Sequence, residues 1–572
     1  MLNKFFKPLV LLCTFISSLV FSQDLKSTYA DWKNPANAFV NYIDDYDQAR
    51  VIFCGSEVPS HDNDGQVPTV SEGMGYGLLL AYANDDQTLF DKFLRYVLAT
   101  AENYGCSNYD PAKGVCYASA PFLMPWIVND KGKPFNFIPD PSNPGTYYYS
   151  NGSATDADMQ IAWAVSLAAS RAKAGSCKET TFKVSTGNIS YQEIFLEMAR
   201  EIRINDIDLT NLRISPGNQW GVAGQKILYP GYFTPQAFEV LNTAPVPDVS
   251  TKPPASPPTP PTPISQTADL EIVYKNNVEG SVSIDYLGGA GTLSVDGNFH
   301  PKSGQQSGFT VDAVTTAVAT MKTKNQYYNN ATIQAAQYDA QGQKTIYCNY
   351  EFVYNNNQWT VTDKGSSPQA TYVMQGNVAY VFLTQDNIDQ IDFDYNTVQT
   401  NSLQAVIDFQ VWKDTGLFPN VIQCDEKYQP GAWSNAYGFD ATRFPLWVSA
   451  YVVKNPAEYA MKEALQKLLS TLEQHLQKGP DGYTMPSQGV NALTGDNVGD
   501  FNTISPPLDA PLYVAYKLMG DEALAGELES GVLGYDLTTL KPSSSDPKGD
   551  STPYFNAAIT LMSEALLNNK LQ

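Results

Sequence analysis

Three short segments place carboxylates at the thresholds of apolar helices. In the stretch 153–171, Asp156 and Asp158 stand just ahead of Ile161, Ala162, Val165, Leu167, Ala168 and Ala169, which leave almost no polar face. A helix that is apolar all round is enclosed, so acids at its mouth face an interior or a cleft. Thr155 or Asp156 is placed to cap this helix, a short side-chain oxygen meeting a free backbone N–H. In the segment 71–77, Glu72 sits beside Met74, Tyr76 and the run Leu78, Leu79, Leu80. An apolar setting raises a carboxyl's pKa, as a proton donor working near neutral pH requires. Gly73, Gly75 and Gly77 each cost a helix about 1 kcal/mol relative to Ala, so another helix or a ligand must approach closely there. In 437–447, Asp440 lies at a helix start with Arg443 one turn on, and both Arg443 and the helix dipole would hold it ionised. A Glu kept protonated and an Asp kept anionic make an acid/base pair. Each segment alone also fits a plainer reading: a capped core helix, a Glu at a favourable helix N-terminus, a surface ion pair.

The elements that must position these acids are mostly helical. Apolar periodicity predicts helices at about 36–48, 72–83, 88–104, 156–173, 191–203 and 234–243, then 402–414, 441–453, 456–477, 506–518, 521–530 and 553–568. Between the two sets lie a Pro-rich stretch, 244–264, and a block, 265–398, that alternates as strands do: Leu270, Ile272, Tyr274; Val282, Ile284, Tyr286; Tyr350, Phe352, Tyr354. One helix is expected within it, at 311–322. Six helices on each side make the block look inserted into one helical domain. Helix counting alone leaves two separate domains equally open.

Composition sets bounds. Lys4 and Lys7, an apolar run from Leu9 to Val20 and Ser22 describe a secretory signal peptide over 1–22, and no later segment is apolar enough to cross a membrane. The expectation is an exported, monomeric protein. Its net charge of −23 argues against nucleic-acid and anionic-membrane partners, which call for a basic patch. Aromatics make up 12% of the chain and Tyr alone numbers 35, a composition suited to stacking on sugar rings. Of the seven cysteines six follow the leader, with Cys106 and Cys116, flanking a short loop, the best local disulfide pair. With no C-x-x-C and only three scattered histidines, His61, His300 and His475, neither a metal nor another cofactor is expected.

Taken together the three acid-bearing segments resemble glycoside hydrolase family 8, the bacterial endoglucanases, chitosanases, licheninases and some xylanases. The string Ala154-Thr155-Asp156-Ala157-Asp158-x-x-Ile161-Ala162 carries most of the resemblance. Segment 71–77 looks like the acid-bearing stretch and 439–443 like the base-bearing one, with 230–235 and 415–419 also matching. The likeness spans about 30–243 and 400–570. It implies an (α/α)6 barrel catalytic domain in two halves, 23–243 and 399–572, interrupted by an inserted β-rich domain. It also implies inversion at the anomeric carbon, with Glu72 the acid, Asp440 the base and Asp156 gripping the sugar at the cleavage point. Asp158, Tyr232, Arg443, Trp126, Trp220, Tyr76 and Phe439 would line the substrate. Phe439 stands where Tyr is frequent and Gly231 where Ser is usual. In such a barrel alternate helices are inner and begin at one end, so Glu72, Asp156 and Asp440 should share one mouth with Tyr232 and Asp509. The implied activity is endo-β-1,4-glucanase action on a β-1,4-linked polysaccharide. Chitosanase, xylanase and a non-catalytic glycan-binding protein are the alternatives.

Overall fold

The computed structural model describes residues 29–53, 68–110, 115–139, 147–185, 187–208, 211–218, 227–244, 394–413, 415–424, 429–430, 435–479, 483–501, 505–533 and 552–571, together with strands between 270 and 383. The leader 1–22, residues 245–264 of the Pro-rich stretch and Trp220 lie outside the described residues. The chain divides into two compact units, one drawn from both chain halves (Met1–Pro245 and Asp394–Gln572) and one formed by Val246–Phe393.

Eleven α-helices are described in the first unit, after a helical turn at 29–33. They are α1 (Ser71–Ala83), α2 (Gln87–Tyr104), α3 (Thr155–Lys173), α4 (Tyr191–Asn205), α5 (Pro235–Thr243), α6 (Tyr395–Lys413), α7 (Arg443–Lys454), α8 (Tyr459–Leu472), α9 (Pro506–Met519), α10 (Glu522–Leu533) and α11 (Thr552–Leu567). Helix α1 packs on α3, α3 on α5, α5 on α7, α7 on α9, α9 on α11, and α11 returns to α1, so the odd-numbered helices close a ring. Each even-numbered helix lies against the odd-numbered one before it in sequence.

Sequence explains the two layers. Every residue of α1 except Glu72 is buried, as is all of α9 from Pro506 to Tyr516. Helices α2 and α8 instead bury one stripe, in α8 Met461, Ala464, Leu465, Leu468, Leu469 and Leu472, which is how a helix with one wet side is patterned. The three glycines of α1 each admit a different neighbour: a Cβ on Gly73 would lie 2.9 Å from the Tyr554 hydroxyl, on Gly75 3.0 Å from Gln160 Oε1, and on Gly77 2.9 Å from Val51. The helix is gripped on three sides.

Helix starts differ in how they are capped. Asp86 caps α2, and Ser190 with Glu193 forms a capping box on α4. Helices α1, α3, α5, α7 and α9 begin with no side-chain cap. The expected cap by Thr155 or Asp156 is therefore corrected. Ala154 is the N-cap, and main-chain oxygens take the first N–H groups, Thr155 donating to Pro216 (3.2 Å) and Asp158 to Ala154 (3.0 Å). This leaves both side chains free to point elsewhere.

Two element assignments change. Residues 36–48 are not a helix: a 3-10 turn, Pro35–Asn37, leads into the hairpin Val40–Ile43 and Gln48–Val51. Ala38 and Asp47 adopt left-handed backbone (φ 59° and 51°), which interrupts any helix there. In the second unit the stretch expected as a helix at 311–322 overlaps the strand Ala317–Thr323. That unit carries two five-stranded sheets. One runs in the order Gly291–Asp296, Ala317–Thr323, Leu270–Asn276, Val378–Leu383, Ala370–Gln375, with only the Leu270–Asn276/Val378–Leu383 pairing parallel. The other runs Phe309–Val311, Ser281–Leu287, Asn330–Tyr338, Lys344–Asn355, Gln358–Asp363, all antiparallel.

Phe93 joins the layers, fully buried on α2 against Trp32 (ring centroids 6.2 Å apart) and beneath Gly77. Phe93→Ala should destabilise the helical unit by about 3–5 kcal/mol, read as a lower denaturant midpoint in urea. An unchanged midpoint would contradict this packing.

Candidate active site

The N-terminal ends of the inner helices meet at one end of the ring, and a single guanidinium joins what they carry. Arg443, the first residue of α7, is 2% exposed. Its Nη1 donates to Glu72 Oε1 and, at 2.7 Å, to Asp156 Oδ2, and its Nη2 donates to Asp440 Oδ1 at 2.6 Å. Exposure of the three acids is graded: Asp156 3%, Glu72 20%, Asp440 44%. Helix α1 brings Glu72, α3 brings Asp156, and the turn ahead of α7 brings Asp440, so the predicted shared mouth holds these three. The Asp440–Arg443 contact is no ordinary surface pair, because its cation is buried.

Three carboxylates on one cation leave excess negative charge in a poorly solvated place. Burial, then repulsion from Asp156 and Asp440, pushes Glu72 up to about 7, against the pull of Arg443 and of the Tyr76 hydroxyl, which donates to Glu72 Oε1 at 3.1 Å. Burial also raises Asp156 above the usual carboxylate range despite Arg443. Asp156 Oδ1 is buried without a hydrogen-bond partner. Arg443 itself stays charged, since the carboxylates outweigh its burial.

Aromatic rings surround this group. Tyr76 stacks on Trp447 (6.4 Å), and Tyr232 lies 5.3 Å from the Arg443 guanidinium while stacking on Tyr229 at 4.8 Å. Phe555, at the start of α11, lies 6.0 Å from the same guanidinium and meets the exposed Phe439 edge-on at 6.5 Å. Tyr229 and Phe555 were not singled out by sequence. Tyr229 adjoins the 230–235 stretch, and Phe555 starts an inner helix, so the mouth argument reaches both once helix starts are known. Gly231 packs its backbone on the base turn: a Cβ there would sit 1.7 Å from the Asp440 carbonyl oxygen.

The remaining candidates lie apart from the guanidinium. Asp158 is fully buried, and its carboxyl meets Asp206, to which Ser153 Oγ also donates at 3.4 Å. Burial and the neighbouring Asp206 hold Asp158 well above the usual range, and burial pushes Asp206 up to about 7. Asp509 accepts from Thr484 Oγ1 (2.7 Å), Met485 N (2.8 Å) and Ser505 N (3.1 Å), fastening a loop at the start of α9. Half-buried Trp126 bridges two of the acid-bearing segments through its main chain, which accepts from Ser71 N (2.9 Å) and donates to Gly152 O (2.8 Å). Its indole N–H donates to Ser150 Oγ at 2.6 Å. Cys106 is disulfide-bonded, and Cys177 carries a thiol outside any disulfide.

A closed ring of helices thus carries an acid cluster at one mouth. The profile of glycosyl hydrolases family 8 matches residues 27–108, the stretch that holds Glu72. Endoglucanase A of Acetivibrio thermocellus is 28% identical over 172 residues, 30% of this chain and 28% of that protein. Endoglucanase 2 of Ruminiclostridium josui is 27% identical over 217 residues, 38% of this chain and 36% of that protein. Endoglucanase C of Ruminiclostridium cellulolyticum is 30% identical over 173 residues, 30% of this chain and 29% of that protein. The chain thus matches roughly a third of the length of these relatives. A solved structure of a reducing-end xylose-releasing exo-oligoxylanase is 11% identical, with a TM-score of 0.49, covering 97% of this chain and 93% of that one. Over residues 27–108 the chain is similar to glycosyl hydrolases family 8.

Stability should fall with rising pH. A carboxyl raised in the folded state keeps its proton where the unfolded chain has lost it, so its contribution is complete below the unfolded value and lost through the folded one. Glu72, Asp206 and Asp509 are raised to about 7 and Glu201 to about 8, burial being the first cause for each. The thermal unfolding midpoint should therefore drop between about pH 4 and pH 8. A midpoint that rises across that window would contradict these assignments.

Proposed function

We propose that the protein is a secreted, monomeric, inverting glycoside hydrolase that cleaves internal β-1,4 bonds of a polysaccharide, with endo-β-1,4-glucanase as its activity. On this reading the ring is an (α/α)6 barrel, and residues 246–393 are an inserted β-rich domain. The observation that carries the reading is the set of three carboxylates on one buried guanidinium, with Glu72 raised toward neutral pH and Asp440 the most exposed. The endoglucanase relatives favour glucan as substrate.

In the mechanism, Glu72 gives its proton to the glycosidic oxygen as the bond to the anomeric carbon breaks. Water adds to the opposite face of that carbon, and Asp440 takes the proton the water loses. Such displacement needs acid and base on opposite sides of the ring, about 6.5–9.5 Å apart, with the water beside the base. Solvent-facing Asp440 suits activation of a water. The unpartnered Asp156 Oδ1 offers an acceptor to a sugar hydroxyl, which a buried polar atom needs. Arg443 holds positive charge between acid and base as the proton inventory shifts, and the Tyr229/Tyr232 stack presents aromatic surface to pyranose C–H groups.

Reducing-sugar release from carboxymethylcellulose, lichenan, chitosan and xylan tests this directly. The expected outcome is release from carboxymethylcellulose, with the α-anomer appearing first by proton NMR. Glu72→Gln should lose about 10²–10⁴-fold in kcat, the range for a positioned general acid. Turnover of chitosan or xylan alone would overturn the glucanase assignment. No release from any of the four would leave a glycan-binding protein.

A further inference from the structure

The turn that carries Asp440 is organised by a side chain outside the carboxylate cluster. Asn420 ends the segment 415–420, and its main-chain N–H donates to Ala436 O at 2.8 Å, tying that segment to the strand Ala436–Tyr437 just ahead of the turn. Its Oδ1 then accepts three main-chain N–H groups of the turn, from Gly438 (3.0 Å), Asp440 (3.2 Å) and Ala441 (2.9 Å). Three donors converging on one atom identify that atom as the amide oxygen, because the amide nitrogen accepts nothing. Within the turn, Thr442 N–H bonds back to Gly438 O at 3.0 Å. On another side Gly231 closes against the Asp440 carbonyl, at a spacing that leaves no room for a Cβ. The peptide units around Asp440 are therefore held between a glycine backbone and one amide oxygen.

We infer that Asn420 is the positioning residue for the base: its single oxygen fixes the main chain of Asp440 so that the carboxylate meets Arg443 Nη2 and faces the attacking water. The inference rests on the reading of Asp440 as base. Without that oxygen three N–H groups turn to water, and the Asp440 Cα is free to shift. A displacement of about 1 Å in a catalytic group costs on the order of 10²-fold in rate. Asn420 touches no reacting atom, so the loss belongs to kcat rather than to substrate binding.

The test uses the full chain with carboxymethylcellulose and four proteins: wild type, Asp440→Asn, Asn420→Ala and Asn420→Asp. Asn420→Ala should lower kcat about 10²-fold while KM stays within about threefold. Asn420→Asp, whose carboxylate oxygen accepts the same three N–H groups, should recover to within about tenfold of wild type. If Asn420→Ala does not fold, Asn420→Ser, with an acceptor too short to span all three donors, carries the same expectation. The inference fails if Asn420→Ala keeps kcat within about threefold of wild type, if the loss merely tracks the unfolded fraction measured by circular dichroism, or if Asn420→Asp falls as far as Asn420→Ala. Failure of the underlying reading shows separately, as an inactive wild type or an Asp440→Asn variant as fast as wild type.

Discussion

The contact on which the rest of the structure depends is that between the Arg443 guanidinium and the carboxylates of Glu72, Asp156 and Asp440. A buried arginine with no partner would be strongly destabilising, and so would any of these acids left buried alone. Grouped, they satisfy one another only in part, because three negative charges face one positive. The shortfall is met by holding a proton within the cluster. Asp156 is enclosed but shares Nη1 with Glu72, Asp440 keeps contact with water, and Glu72, raised to about 7, is the group able to carry the proton near neutral pH. Burial is the first cause of the raised Glu72, and the repulsion of Asp156 and Asp440 adds to it against the pull of Arg443.

The helical ring delivers these groups to one place. Because inner helices start together, three acids far apart in sequence converge on Arg443, and their uncapped N-termini turn positive helix ends toward the cluster. Two of the outer helices use ordinary caps, Asp86 on α2 and Ser190 with Glu193 on α4. The glycines of α1 belong to the same design, since they let Tyr554, Gln160 and Val51 press against the helix that carries Glu72.

Much of this was legible in the sequence. Apolar periodicity reveals enclosed and one-sided helices, and carboxylates at their starts stand out because they interrupt apolar runs. The hairpin at 40–51 was misread because Phe39, Val40 and Tyr42 suit either period, and only the left-handed Ala38 and Asp47 separate them. Asp158 was read as a substrate-lining companion of Asp156, yet two positions along a helix point in different directions, and Asp158 meets Asp206 from the end of α4. Arg443's triple contact, the Tyr229 stack and the Asn420 oxygen depend on approaches between distant segments, which no local pattern encodes.

The central claim is that burial, reinforced by the neighbouring carboxylates of Asp156 and Asp440, keeps Glu72 protonated up to neutral pH. The direct measurement is a carbon-13 NMR titration of the intact protein labelled at glutamate Cδ, with Glu72→Gln assigning the resonance. The account predicts a midpoint for Glu72 at about 7. A midpoint at the ordinary glutamate value of about 4.3 would contradict it.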